Sequence, residues 1–98
     1  MPRRPSEALQ QHRDAIHRIV SAHRARNPRA FGSVLRGEDQ EDSDLDLLID
    51  PDPGMSLFDL GAILVELQDL MGIDVDVVTP RALPARWREA IVAEARPV

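Results

Sequence analysis

Arg29-Ala30-Phe31-Gly32-Ser33-Val34-Leu35-Arg36-Gly37-Glu38-Asp39-Gln40-Glu41-Asp42-Ser43-Asp44-Leu45-Asp46-Leu47-Leu48-Ile49-Asp50-Pro51-Asp52 is the stretch whose reading decides the fold. Ala30 and Phe31 end a short first strand, expected over residues 29–33. Gly32-Ser33 turns the chain, a polar excursion follows, and a second strand runs from Asp44 to Asp50. Ten residues separate Ser33 from Asp44. Glycine lets backbone approach a ligand closely, so Gly32 and Ser33 can offer N–H groups to a phosphate. Asp44 and Asp46 are two apart, so on an extended chain their carboxylates leave the same face. Two hard anionic ligands side by side suit Mg²⁺, which takes oxygen ligands and is often held by carboxylates plus substrate phosphates. Leu47-Leu48-Ile49 shows no alternation, as expected of a central strand buried on both faces.

Working outward, Asp50-Pro51-Asp52-Pro53-Gly54 is a break, because proline and glycine end the ladder and set a turn. Ser56 then caps a helix, with Asp59 placed to answer back to the cap. Its expected buried stripe is Leu57, Leu60, Ile63-Leu64, Leu67 and Leu70-Met71, and Gly72 stops it. Ile73-Asp74-Val75-Asp76-Val77-Val78 is a third strand, on which Asp74 and Asp76 share a face. A last helix begins near Pro84 and aligns Trp87, Ile91 and Ala95. Before the quoted stretch, residues 6–24 have helical periodicity, with Ser6 as the expected cap and Pro28 closing the segment. His12, His17 and His23 are five and six apart, a poor match to paired ligands on one helix. They are read as non-ligands.

Ninety-eight residues allow one small domain and leave no room for a separate substrate-binding one. The chain has no cysteine, so disulfides and thiolate metal sites are excluded. No apolar run approaches the roughly 20 residues of a membrane span. Met1-Pro2-Arg3-Arg4 lacks the apolar core of a signal peptide, and a soluble cytoplasmic location is the expectation. The net charge of −5 is sharply segregated. Residues 1–36 carry eight arginines against two acids, residues 37–80 carry thirteen acids and no basic residue, and residues 81–98 carry four arginines against two acids. An acidic centre repels the phosphates of a nucleotide unless cations intervene, so the pattern asks for divalent metal. The basic face of the first helix is read as solvated surface or partner contact rather than a nucleic-acid site. There is no lysine, so any phosphate-binding cation must be arginine. Arg36, the only basic residue between Ser33 and Pro80, suits either a phosphate contact or an ion pair with a neighbouring acid.

Gly32-Ser33, ten residues and Asp44-Leu45-Asp46 resemble the signature of the polymerase-β-type nucleotidyltransferase superfamily. Phe31-Gly32-Ser33-Val34-Leu35-Arg36-Gly37 and Ser43-Asp44-Leu45-Asp46-Leu47-Leu48-Ile49-Asp50 are similar to its minimal nucleotidyltransferase (MNT) branch, and the similarity spans roughly residues 29–96. The resemblance implies an α/β (α+β) fold: a small mixed sheet backed by helices, in the order α-β-loop-β-α-β-α. It implies that Asp44, Asp46 and Asp76 are catalytic and hold two Mg²⁺ ions. The third carboxylate falls on Asp76 because the family places it in the strand just before Thr79-Pro80. It further implies that Gly32 and Ser33 cradle the β- and γ-phosphates of ATP, and it favours a phosphate role for Arg36.

Proteins of this size in the MNT branch resemble the antitoxins of HEPN–MNT toxin–antitoxin pairs, which transfer AMP from ATP to a tyrosine of the HEPN toxin. That is the leading expectation for this chain. Two others stand beside it: a binding antitoxin with a vestigial metal site, and a nucleotidyltransferase subunit for a small-molecule acceptor.

Overall fold

A computed structural model describes residues 4–40 and 43–98. The readings made above for Met1-Pro2-Arg3 and for Glu41 and Asp42 lie outside the described residues. The elements are α1 (Pro5–Gln11), α2 (Arg13–Ala22), β1 (Ala25–Phe31), α3 (Ser33–Arg36), β2 (Leu45–Pro51), α4 (Leu57–Met71), β3 (Val75–Val78), a short 3₁₀ turn (Pro80–Ala82), α5 (Ala85–Glu94) and β4 (Arg96–Pro97). The strands form one sheet in the order β3-β2-β1-β4. β1 runs antiparallel to both β2 and β4, whereas β2 and β3 are parallel. A parallel pair needs a crossover, and α4 supplies it. The mixed α/β class expected from the sequence is the one observed.

Strand alternation divides the sheet into two unlike faces. Leu45, Leu47 and Ile49 of β2 and Val75 and Val77 of β3 join Ile16 and Val20 of α2 and Ile63, Leu67 and Met71 of α4 in one apolar cluster. Asp46, Leu48 and Asp50 therefore share the opposite face of β2, and Asp76 that of β3. Leu48 is fully buried yet lies outside that cluster, so the central strand is covered on both sides as its unbroken apolar run predicts. Helix α4 begins and ends where the sequence places it. Ser56 Oγ accepts from the Asp59 N–H, the Asp59 carboxylate accepts from the Ser56 N–H, and Gly72 adopts the left-handed conformation at its end.

Other expectations are corrected. The single helix over residues 6–24 is two helices, parted at His12 (φ −112°, ψ 19°) with neither proline nor glycine to break it. The reason is tertiary: Pro5 is fully buried, Ala8 packs in the core, and Ser6 is held from elsewhere in the chain, none of which is written in local periodicity. Ser6 is not the cap; Arg4 occupies that position. The first strand starts at Ala25, not Arg29, and Pro28 lies inside it. A register shift between Arg26 and Arg29, with Asn27 at φ 57°, admits the proline where no ladder N–H is needed. Ser33 belongs to α3 rather than to the strand, and β4 is an element the sequence did not announce. Leu57 is 85% exposed and does not join the buried stripe of α4. Trp87 of the last helix is 55% exposed and carries Arg86 over its ring.

Asp39 also differs from its expected place in a solvated acidic loop. It is only 6% exposed, and its Oδ2 accepts both the Ser6 N–H (3.0 Å) and the Ser6 Oγ–H (2.8 Å). Burial by itself pushes the Asp39 carboxyl up. The Ser6 bonds, its own amide and the nearby Arg4 guanidinium outweigh that and hold it below the ordinary value of 3.8. A depressed carboxyl contributes stability that is present above its unfolded value and lost as pH falls through the folded one. Denaturant unfolding across pH should therefore show Asp39→Ala less stable than wild type at pH 7, with the gap closing as pH drops below 3.8.

Candidate active site

Three turns of chain bring the motif residues to one end of the sheet. β1 ends at Phe31, opposite Asp46 of β2, and Asp46 is in turn paired with Asp76 of β3. The two carboxylates therefore stand side by side on the face that α2 and α4 do not cover. Asp44 lies just ahead of β2 and outside its ladder. Asp46 is half-buried, and Asp44 and Asp76 are exposed. Asp74, the competing aspartate, is not level with Asp46. It sits before β3, and its backbone carbonyl accepts the Leu45 N–H at 3.0 Å, a peptide-level link at the strand starts.

Gly32 closes the site from the β1 side. Its backbone (φ 79°, ψ −143°) is a conformation open in practice to glycine alone. A Cβ built there would lie 2.5 Å from Asp46 Oδ2, so the Asp46 carboxylate rests against the bare Cα of Gly32. Ser33 opens α3, and Gly37 ends that single turn in the left-handed region. Arg36 pairs with Glu38 at 3.2 Å, with both side chains more than half exposed, which is the ion-pair reading of this residue. Its charge nonetheless reaches Asp46 and favours the ionised carboxylate there.

The electrostatics of Asp46 show what the arrangement asks for. Burial, then the Asp76 carboxylate, then the Asp44 carboxylate all push the Asp46 carboxyl above its ordinary value, and Arg36 offsets them only in part. Among the described residues, no hydrogen bond or ion pair neutralises Asp44, Asp46 or Asp76. Nor do three or more acidic or histidine side chains there converge into a closed metal cage. Facing carboxylates that repel one another and leave the cage open fit a hard divalent cation that keeps water and takes phosphate oxygens as further ligands. Asp44, Asp46 and Asp76 would hold it. The histidines lie elsewhere: His17 Nε2 meets the Val98 carbonyl at 2.8 Å, and His23 pairs with Glu66.

Asp50 and Arg29 lie further along the strands, and the sequence reading missed their pairing. Arg29 Nη2 donates to Asp50 Oδ1 at 2.6 Å and Asn27 Nδ2 donates to Asp50 Oδ2 at 3.0 Å. Asp50 is thereby spoken for, and although it shares a face with Asp46 it is not free to ligate. The signal was present only as the period of two along the strand.

Two outcomes follow. Gly32→Ala should destabilise the fold by about 1–3 kcal/mol, the cost of a residue forced into this region. Because Asp46 must also move, calorimetry should show weaker Mg²⁺ binding. For Asp46→Asn the sign is opposite. A raised folded pKa means stability is greatest with Asp46 protonated and is lost as pH rises through the folded value. At pH 7 without metal the Asn variant should thus melt higher than wild type, and added Mg²⁺ should raise its melting temperature less.

The comparisons with known proteins agree with this geometry. The family model for the nucleotidyltransferase domain matches residues 10–98. A Methanocaldococcus jannaschii protein provisionally named a protein adenylyltransferase is 35% identical over 77 residues, covering 79% of this chain and 83% of that protein. The protein adenylyltransferase MntA of Thermococcus cleftensis is 32% identical over 89 residues, covering 83% of this chain and 90% of its own. Among solved structures, one provisionally described as a minimal nucleotidyltransferase superposes with a TM-score of 0.85 at 42% identity, covering 95% of both chains. A toxin–antitoxin structure with AMP-PNP shares the fold at a TM-score of 0.71 and 17% identity, covering 86% of this chain and 69% of that one. With its motif, its sheet and 89-residue-scale likeness to such relatives, the chain belongs to the nucleotidyltransferase domain family.

Proposed function

We propose that this chain is a Mg²⁺-dependent protein adenylyltransferase that moves AMP from ATP onto a tyrosine of a HEPN toxin, acting as the antitoxin of the pair. The observation that carries the reading is the level pairing of Asp46 with Asp76, under Gly32, on the sheet face opposite α2 and α4. The relatives named as protein adenylyltransferases support the nucleotide and the kind of acceptor.

In this reading Asp44, Asp46 and Asp76 would hold the Mg²⁺ ions, which would supply charge neutralisation at the triphosphate and acidify the attacking hydroxyl. Gly32 and Ser33 turn backbone N–H groups toward the β- and γ-phosphates, and α3 keeps that turn in place. Arg36 can leave its weak pair with Glu38 to meet a phosphate oxygen. The tyrosine oxygen attacks the α-phosphorus, a new O–P bond forms and the α–β bridge bond breaks. The hydroxyl proton passes to Asp76, and pyrophosphate departs. Exposed Leu57 (85%), Phe58 (90%) and Trp87 favour a chain that docks on another protein.

The test is transfer of label from α-labelled ATP, with Mg²⁺, to the toxin protein. Wild type should label the toxin, and Asp44→Ala/Asp46→Ala should lose the transfer by more than about 100-fold, since even residues behind metal ligands cost about 10–100-fold. Tight binding of the toxin with no transfer from any nucleotide would replace this reading with that of a binding antitoxin.

A further inference from the structure

Asp44 differs from its two partners in how it is held. Asp46 and Asp76 are set by the β2–β3 ladder, whereas Asp44 lies ahead of β2, on the loop that joins α3 to that strand. Its direction is decided by whatever anchors the loop. At the strand end the Leu45 N–H is bonded to the Asp74 carbonyl (3.0 Å). The Gln40 N–H donates to Ser43 Oγ (2.9 Å) and the Ser43 N–H to the Gln40 carbonyl (3.0 Å), so Gln40 and Ser43 are tied to one another. At the other end Glu38 is bonded back only to α3. The remaining anchor is Asp39.

Among the described residues, the Asp39 carboxylate makes the only side-chain hydrogen bonds from this loop to an element other than α3. Its target, Ser6, lies 33 residues away in the first turn of α1. The Ser6 N–H is one of the amides that a helix leaves unpaired at its start, so a buried carboxylate there satisfies an orphan donor and meets the positive end of the helix. Helix α1 is itself fixed, with Pro5 and Ala8 buried. The contact thus ties the loop to α1, one residue beyond the Arg36–Glu38 pair and five before Asp44.

We propose that Asp39 is a positioning residue for the metal–nucleotide site, acting through the loop to aim Asp44 and to hold Arg36 beside Asp46. This rests on the adenylyl-transfer reading for its activity readout and on metal binding alone for its second. The carboxylate at 39 touches neither nucleotide nor metal; it acts through Gln40 and its bonds to Ser43, next to Asp44.

The experiment uses the full chain with the toxin, α-labelled ATP and a Mg²⁺ titration, for wild type, Asp39→Ala, Asp39→Asn and Ser6→Ala. Binding of Mg²⁺ with a non-transferable α,β-methylene ATP analogue is measured by calorimetry in parallel, at a temperature where melting curves show every variant folded. Asp39→Ala should raise the Mg²⁺ concentration for half-maximal rate, or lower kcat at saturating Mg²⁺, by about 10–100-fold. Asp39→Asn should restore most of the loss, because its amide oxygen can still accept from Ser6, and Ser6→Ala should fall between. Wild-type kcat and Mg²⁺ dependence in Asp39→Ala, with only its melting temperature lowered, would overturn the proposal and reduce the contact to structural support. If wild type binds the Mg²⁺–analogue but labels nothing, the adenylyl-transfer reading fails. The calorimetric difference between wild type and Asp39→Ala then decides the positioning role.

Discussion

Negative charge crowds one end of the sheet, where Asp46 stands level with Asp76 and Asp44 just precedes β2. Asp46 and Asp76 are level because β2 and β3 are parallel and in register, which requires α4 to carry the chain from the end of one strand back to the start of the next. Burial and two neighbouring carboxylates both work against the charge on Asp46. The apolar cluster beneath the sheet, built from α2, α4 and alternate residues of β1, β2 and β3, supplies the stability that this repulsion subtracts. Carboxylates perturbed by burial and like charge cluster at functional sites.

The same constraint explains the residues around it. Gly32 must lack a side chain because the Asp46 carboxylate occupies the space a Cβ would take. Asp50, two repeats of the pleat further along the same face, is neutralised by Arg29 and Asn27, so the chain confines its uncompensated charge to the start of the strand. The segregation of charge along the sequence has a matching logic. Arginines of the first block reach across to acids of the middle block, with Arg26 on Asp52 and Arg29 on Asp50, and leave Asp44, Asp46 and Asp76 unpaired among the described residues.

How much of this was legible beforehand follows from the range of each interaction. The Ser56–Asp59 cap, the Gly72 stop and the apolar run Leu47-Leu48-Ile49 are local, and they appear where the sequence puts them. The break at His12, the bulge that admits Pro28 and the small strand β4 answer to contacts with distant chain, so no window of ten residues contains them. Leu57 was misread for a related reason. Helical spacing gives a side chain's direction, and it cannot say where the neighbouring element ends. Asp39 is the sharpest case. It stands in a run of acids that all look solvated, and only the approach of Ser6 separates it from them.

By itself, then, the sequence determined the family, the mixed α/β class and the spacing of Gly32-Ser33 from Asp44 and Asp46, while Asp76 was preferred to Asp74 through the family resemblance. The class and the spacing rest on strand and helix periods, which the backbone enforces locally. Tertiary structure alone decided that Asp76 stands opposite Asp46, that Gly32 lies against the Asp46 carboxylate, and that Asp39 is fastened to Ser6. Each of these joins residues separated by 14 to 33 positions, for Gly32 and Asp46 at one end and Ser6 and Asp39 at the other. Such contacts form only when the whole sheet and its helices are assembled, because the entropy of closing those loops is recovered by the packed core and not by the contacts themselves.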